Sequence, residues 1–261
     1  MGAYTTITAD LIEHETVLRL VLNQPKANVL TSGMLGELGA ALRAHRGRTH
    51  LRLVVLRGAG GNFSFGASIE EHRRDRVRDM LQGFHLFVRE LAAYPVPIAA
   101  LVEGRCLGGA FEVALCCHFV FATPGARFAC PEIKLGVFAP VLAAAGAHRL
   151  PGALAERMLL TGDEIDAAAA ERAGLVAAIV DAADPEQALL EWYRARLAPL
   201  SAFALRQATA AFRDNSALVR ALHRDLPAVE RRYLDEIAAS RDGNEGIEAF
   251  IARRAPVWED A

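Results

Sequence analysis

The chain has 261 residues, 52% of them apolar and 23% charged, which fits one large or two small folded domains and excludes disorder. Lys and Arg number 29 against 31 Asp and Glu, so there is no basic excess of the kind that draws a nucleic-acid partner. No apolar run reaches the roughly 18–20 residues of a membrane span, and Met1–Ala9 lacks the basic-then-apolar order of a signal peptide; a cytoplasmic protein with no membrane partner is expected.

In chain order, Val17–Leu22 reads as a strand stopped by Asn23-Gln24-Pro25. Ser32 is placed to cap a helix running to about Arg46, with Leu35, Leu38 and Leu42 at helical spacing. Leu51–Leu56 is a short buried strand, followed by the loop Gly58-Ala59-Gly60-Gly61. One long amphipathic helix is predicted from about Ile69 to Ala93, ended by Pro95 and Pro97. Ile98–Val102 is a strand, Gly104 turns the chain, and Gly108-Gly109 opens a helix through Cys117. Phe119–Ala122 and Arg127–Ala129 read as strands flanking a Pro124-Gly125 turn. This β-α-β-α-β order predicts a largely parallel sheet. Beyond about Pro140 the pattern is helical apart from the apolar run Leu175–Val180. Helices are predicted over Ala153–Leu160, Ile165–Ala173, Pro185–Leu197, Ser201–Arg213, Ala217–Ser240 and Asn244–Arg254.

Chemistry is most plausible where glycine-rich loops leave strands and enter helices. Gly108-Gly109 stands at such a junction, where first-turn N–H groups lack intrahelical acceptors and glycine permits close backbone approach. A developing oxyanion suits that place; a tight turn is the plainer alternative. Phe63-Ser64-Phe65-Gly66-Ala67 ends a second loop of the same kind, so two backbone N–H groups could meet on one oxygen. Glu112 and Glu132 each lie in an apolar stretch. Each is explained singly as a helix-start carboxylate, and together they suit an acid/base couple whose pKa values burial would raise. The run His72-Arg73-Arg74-Asp75-Arg76 reads as a solvated helix face or as a contact for a phosphate-bearing ligand. Cys106, Cys116, Cys117 and Cys130 fit no zinc spacing and read as reduced core thiols; no metal ligand set, nucleophile elbow or dinucleotide fingerprint is present.

Three ordered blocks resemble the signatures of the crotonase, or enoyl-CoA hydratase/isomerase, superfamily. They are Phe63-Ser64-Phe65-Gly66-Ala67-Ser68-Ile69, Leu107-Gly108-Gly109-Ala110-Phe111-Glu112-Val113-Ala114 and Pro131-Glu132-Ile133-Lys134-Leu135-Gly136. Gln24-Pro25-Lys26-Ala27-Asn28 and Glu245-Gly246-Ile247-Glu248-Ala249-Phe250 extend the resemblance over nearly the whole chain. It implies an α/β crotonase-like ββα spiral core with an acyl-CoA site over residues 1–200, and a C-terminal α-helical trimerisation region over 201–261. A homo-trimer or dimer of trimers follows from it. By motif, Ala67 and Gly109 supply the oxyanion hole and Glu112 and Glu132 are the catalytic pair. Lys26, Phe65, Ser68, Ile69, Gly108, Phe138, Pro140 and Phe250 fall at substrate-binding positions, with Phe250 and nearby Arg253 or Arg254 toward the nucleotide end of coenzyme A. No cofactor or metal is implied, coenzyme A being part of the substrate.

Two departures stand out. Many hydratases have Asp where this chain has Ser68, and a glycine-rich run where it has Val137-Phe138-Ala139-Pro140. The second departure, with Pro256-Val257-Trp258-Glu259, is similar to members of the family that hydrate cyclohexa-1,5-diene-1-carbonyl-CoA. The expected activity is hydration of a conjugated enoyl- or dienoyl-CoA. An enoyl-CoA isomerase, an acyl-CoA hydrolase and a non-catalytic binding protein of the same fold are the alternatives.

Overall fold

In the computed structural model, which describes residues 4–261, the chain climbs in steps, each adding one strand to a large sheet and a shorter one to a small sheet. Strands β1 (Ile7–Ile12) and β2 (Val17–Leu22) form an antiparallel hairpin across a turn in which Glu13, His14 and Glu15 all take positive φ. After α1 (Ser32–His45), β3 (Leu53–Gly58) pairs parallel with β2. Helix α2 (Val77–Ala92) leads to β4 (Ile98–Val102), which pairs parallel with β3. The remaining strands are β5 (Arg105–Leu107), β6 (Phe119–Ala122), β7 (Arg127–Ala129), β8 (Ile165–Asp166) and β9 (Ala178–Ile179). The large sheet has the order β1-β2-β3-β4-β6-β9 and the small one β5-β7-β8.

Both faces of the large sheet are covered, which is why β4 is apolar at every position. Alternate side chains serve different cores. Val54, Leu56, Ile98 and Ala100 join a cluster with α1, α2 and α3 (Gly109–Cys116), whereas Leu53, Val55, Ala99 and Leu101 pack against Leu189, Leu190 and Tyr193. The second legs stack likewise: Ser64 bridges in parallel to Cys106, and Cys106 pairs with Phe128. Ala67, Gly109 and Glu132 each lie just beyond one of these stacked segments, so three successive steps deliver one loop each to the same end of the small sheet.

The later helices are α4 (Pro140–Ala145), α5 (Gly152–Thr161), α6 (Ala167–Arg172), α7 (Pro185–Arg196), α8 (Ala202–Asp214), α9 (Ala217–Arg224), α10 (Leu226–Arg232) and α11 (Arg241–Ile251). Helices after residue 201 share the core through Leu218, Ala221, Leu222 and Leu226, and through Tyr233 and Ile247 against Val77, Met80 and Leu81.

Several elements differ from the sequence reading. Thr31, not Ser32, caps α1, its hydroxyl accepting from the Met34 N–H at 3.2 Å. The expected helix over Ile69–Ala93 is a 3-10 turn, Ile69–His72, followed after a gap by α2, because the charged run Arg73–Arg76 has no apolar face to bury. Ile165–Ala173 splits into β8 and α6, since Asp166 caps the Ala169 N–H and resets the chain. Ala217–Ser240 splits at Asp225, the N-cap of α10, which carries Pro227 in its first turn, and ends in a π-helical turn, Tyr233–Ile237.

Helix α11 docks on the 3-10 turn Pro131–Leu135 through Gly246, where a Cβ would stand 2.0 Å from the Leu135 carbonyl oxygen. Gly246→Ala is expected to push the helix off that turn and destabilise by about 2–3 kcal/mol, as forced overpacking does. A thermal melt unchanged from wild type would contradict this docking.

Candidate active site

The loop after β3 is laced to its neighbours by backbone bonds. Leu30 donates to the Gly66 carbonyl at 2.9 Å and accepts from the Ser68 N–H at 3.2 Å, a parallel bridge that turns the intervening Ala67 N–H away from Leu30. Gly66 has φ +98°, and a Cβ there would stand 2.7 Å from the Leu107 carbonyl oxygen, so only glycine lets this loop lie against β5. Gly109 is the first residue of α3, where an N–H has no intrahelical acceptor. A Cβ on Gly109 would lie 3.4 Å from the Ala67 Cβ and 3.1 Å from Phe84 Cε2. Ala67 and Gly109 are therefore neighbours, and both border one small cavity.

Glu112 lies in the first turn of α3, whose N-cap is Gly108, as a helix-start carboxylate should. It is 2% exposed. Its Oε1 accepts the N–H groups of Val141 at 2.7 Å and Leu142 at 2.9 Å, capping α4 and not its own helix. Glu132 opens the 3-10 turn behind Pro131, as its position after proline predicts. Its Oε1 faces Gly108, where a Cβ would come within 2.5 Å, and its buried Oε2 has no partner among the described residues. Burial pushes both carboxyl groups up from the ordinary range. For Glu112 the two N–H donors oppose that shift, while for Glu132 the Glu112 charge adds to it. The two carboxyl groups are coupled, so the pair takes up and releases its protons as a unit.

These groups line two adjoining cavities. The inner one, about 20 Å³, is bounded by Ala67, Gly109, Glu112, Glu132, Phe138 and Pro140. That volume accommodates roughly one water molecule. The outer one, about 50 Å³, shares Ala67, His72 and Glu132 and adds Phe65, Ile69 and Gly108.

Five other residues singled out in the sequence stand apart from both cavities. Ser68 lies behind the wall, its carbonyl accepting from His72. Lys26 is exposed in a positive-φ turn beside Ala27, whose carbonyl accepts the Phe65 N–H. Phe250 is exposed on α11. Arg254 is engaged with Glu245, and Arg253 stands at positive φ just past the helix.

The sequence reading missed His72 and Phe84. His72 was grouped with its basic neighbours, but it turns inward while Arg73 pairs with Glu248 at the surface. The carbonyl of Ser68 lies 2.7 Å from His72 Nδ1, so that nitrogen carries the hydrogen, and burial pushes the pKa down, leaving a neutral imidazole with a free lone pair. Phe84 falls on the apolar stripe Val77-Met80-Leu81-Phe84, whose helical spacing was the available signal. Among the described residues no three His, Cys, Asp or Glu side chains gather as a metal site would, and no helix is long and apolar enough to cross a membrane.

The sequence model of the enoyl-CoA hydratase/isomerase family matches residues 13–261. The chain belongs to that family. Among hydratase/isomerase relatives, the cyclohexa-1,5-dienecarbonyl-CoA hydratase of Thauera aromatica is 42% identical over 245 residues, 94% of this chain and 93% of that one. The 2,3-dehydroadipyl-CoA hydratase of Escherichia coli K12 is 34% identical over 252 residues, 93% of this chain and 94% of that one. The crystal structure of an enoyl-CoA hydratase from Mycobacterium avium subsp. paratuberculosis K-10 superposes with a TM-score of 0.83 at 27% identity, covering 99% and 100% of the two chains. The expected crotonase-like fold with a helical C-terminal region is borne out, as is the enzyme class, a lyase of the enoyl-CoA hydratase kind.

Proposed function

We propose that this hydratase adds water to a cyclic conjugated dienoyl-CoA of the cyclohexa-1,5-diene-1-carbonyl type, with Glu112 and Glu132 as its acid/base pair and Ala67 and Gly109 as its oxyanion hole. The observation that carries the reading is the inner cavity, where both carboxyl groups and both N–H-bearing residues bound a space the size of one water. In this mechanism the thioester oxygen accepts the two N–H groups, which draws electrons from the diene. Water bonds through its oxygen to the β-carbon and passes a proton to the Glu112 carboxylate. The electron pair moves onto the thioester oxygen as a dienolate. It returns to form a C–H bond at the far end of the former diene, taking the proton of Glu132. Proton exchange between the glutamates and solvent restores the pair. Thioester and water are the only reactants, so the proposal needs no cofactor.

The choice of acyl group is supported by the named activity of the Thauera relative and by Phe138 and Pro140, which wall the inner cavity. An aromatic plane beside a rigid proline suits a flat ring better than a mobile chain. Lys26, Phe250 and Arg253 are exposed, where the coenzyme A moiety would pass. Exposed Phe203 and Phe212, on opposite sides of α8, would each be covered by a neighbouring copy in a trimer or dimer of trimers.

Apolar shape differences discriminate by roughly 10–200-fold in kcat/KM, so the cyclic dienoyl-CoA is expected to exceed crotonyl-CoA at least tenfold, with a product heavier by one water. Phe138→Ala should erode that preference more than it lowers the melting temperature. Equal rates on both substrates would remove the ring assignment. A double-bond shift, or thiol release without added water, would remove hydration itself.

A further inference from the structure

Tyr233 is 2% exposed, yet its hydroxyl has no hydrogen-bond partner among the described residues. Burying an unpaired hydroxyl is unfavourable, and Phe would fill the same space without that cost. The ring stands edge-on to Phe138, with centroids 5.3 Å apart and planes at 66°, and Phe138 is a wall of the cavity that holds both glutamates. Burial and then the charges of Glu132 and Glu112 push the phenol far up, so it stays an O–H that can donate one hydrogen bond and accept another. Tyr233 also opens the π-helical turn, a wide backbone geometry that costs regular hydrogen bonding and recurs at functional sites.

A second buried polar atom is unpaired, Glu132 Oε2, and the charge of Glu132 is felt at the Tyr233 phenol. One oxygen between the two would satisfy both. We propose that the Tyr233 hydroxyl and Glu132 Oε2 hold the oxygen that water delivers to the acyl group, first as water and then as the hydroxyl of the product. Tyr233 thereby becomes a further polar contact of the acyl pocket, contributed by the helical region after residue 201. This inference rests on the hydration reading above.

The test is Tyr233→Phe, which removes one oxygen and keeps the ring. Wild-type hydration of the cyclic dienoyl-CoA is established first; if it is absent, the functional reading fails and not this refinement of it. Given wild-type turnover, the variant is expected to lose roughly 10–100-fold in kcat, with KM for the dienoyl-CoA little changed and the melting temperature equal or higher, because the hydroxyl has no protein partner to lose. In equilibrium binding, wild type should prefer a β-hydroxyacyl-CoA over its deoxy analogue, and the variant should lose that preference. A kcat within twofold of wild type would overturn the inference. So would a fall of several degrees in melting temperature, which would make the hydroxyl a structural bond.

Discussion

Glu132→Gln and Glu112→Gln are each expected to lower kcat by roughly 10²–10⁴-fold, the usual worth of one general acid or base. The double variant should lose far less than the product of the two, because the carboxyl groups share one proton. The glutamine oxygen at position 112 can still accept the Val141 and Leu142 N–H groups, so that variant should keep α4 in place. Stability should move the other way from activity. Both folded-state pKa values lie above the ordinary 4.5. The protonated forms therefore stabilise the fold fully below that value, and their contribution is lost as pH rises through the raised values. Wild type should lose stability across this window, and Glu132→Gln, which cannot ionise, should lose less. Thermal melts at about pH 5 and about pH 9 compare the two directly. Near-wild-type turnover by either single variant would dismiss the pair as the acid/base unit. Wild-type kcat should peak where the pair holds one proton, with its acidic limb above the ordinary carboxylate range.

Gly109→Pro should reduce kcat by a further 10²–10³ relative to Gly109→Ala, on the order of one oxyanion-hole donor. The two variants differ in the N–H and in the proline ring carbons that replace it. Both substitutions add a Cβ that must press Phe84 back by a few tenths of an ångström, from 3.1 Å. Both retain α3, since proline is tolerated at the first helical residue, where its missing N–H is not part of the ladder. Only proline deletes the donor. Equal activity in the two variants would show that the Gly109 N–H does not stabilise the thioester oxygen.

How far the site could be read from the residues alone depended on whether its signal was local. Gly66-Ala67, Gly108-Gly109 and the two glutamates announce themselves because chain conformation and an acid in an apolar stretch are local properties. Strands such as Val17–Leu22 and Ile98–Val102 were legible for the same reason, being continuous apolar runs with clear stops. Strand β1 was not, because Ile7–Ile12 mixes polar and apolar residues and becomes a strand only through pairing with β2. His72 was hidden by its basic neighbours, although the Ser68 carbonyl that holds its ring is only four residues away. The helical break at Arg73–Arg76 has a local cause, a charged run with no apolar face, whereas the π turn at Tyr233 is set among Val77, Met80, Leu81 and Phe138, which no window of sequence contains. The partners of Glu112 lie about thirty positions away, so that burial was foreseeable and its anchoring was not.

That anchoring ties selectivity to reactivity. Pro140 walls the inner cavity and is also the first residue of α4, whose next two N–H groups fix the Glu112 carboxylate. The stretch Val137–Pro140 is thus no interchangeable cassette. Grafting a glycine-rich run in its place would reshape the pocket and, in the same stroke, loosen the mount of the Glu112 carboxylate. A variant selected for longer, more flexible acyl groups at these positions would give up turnover on every substrate unless α4 were re-seated from elsewhere in the chain.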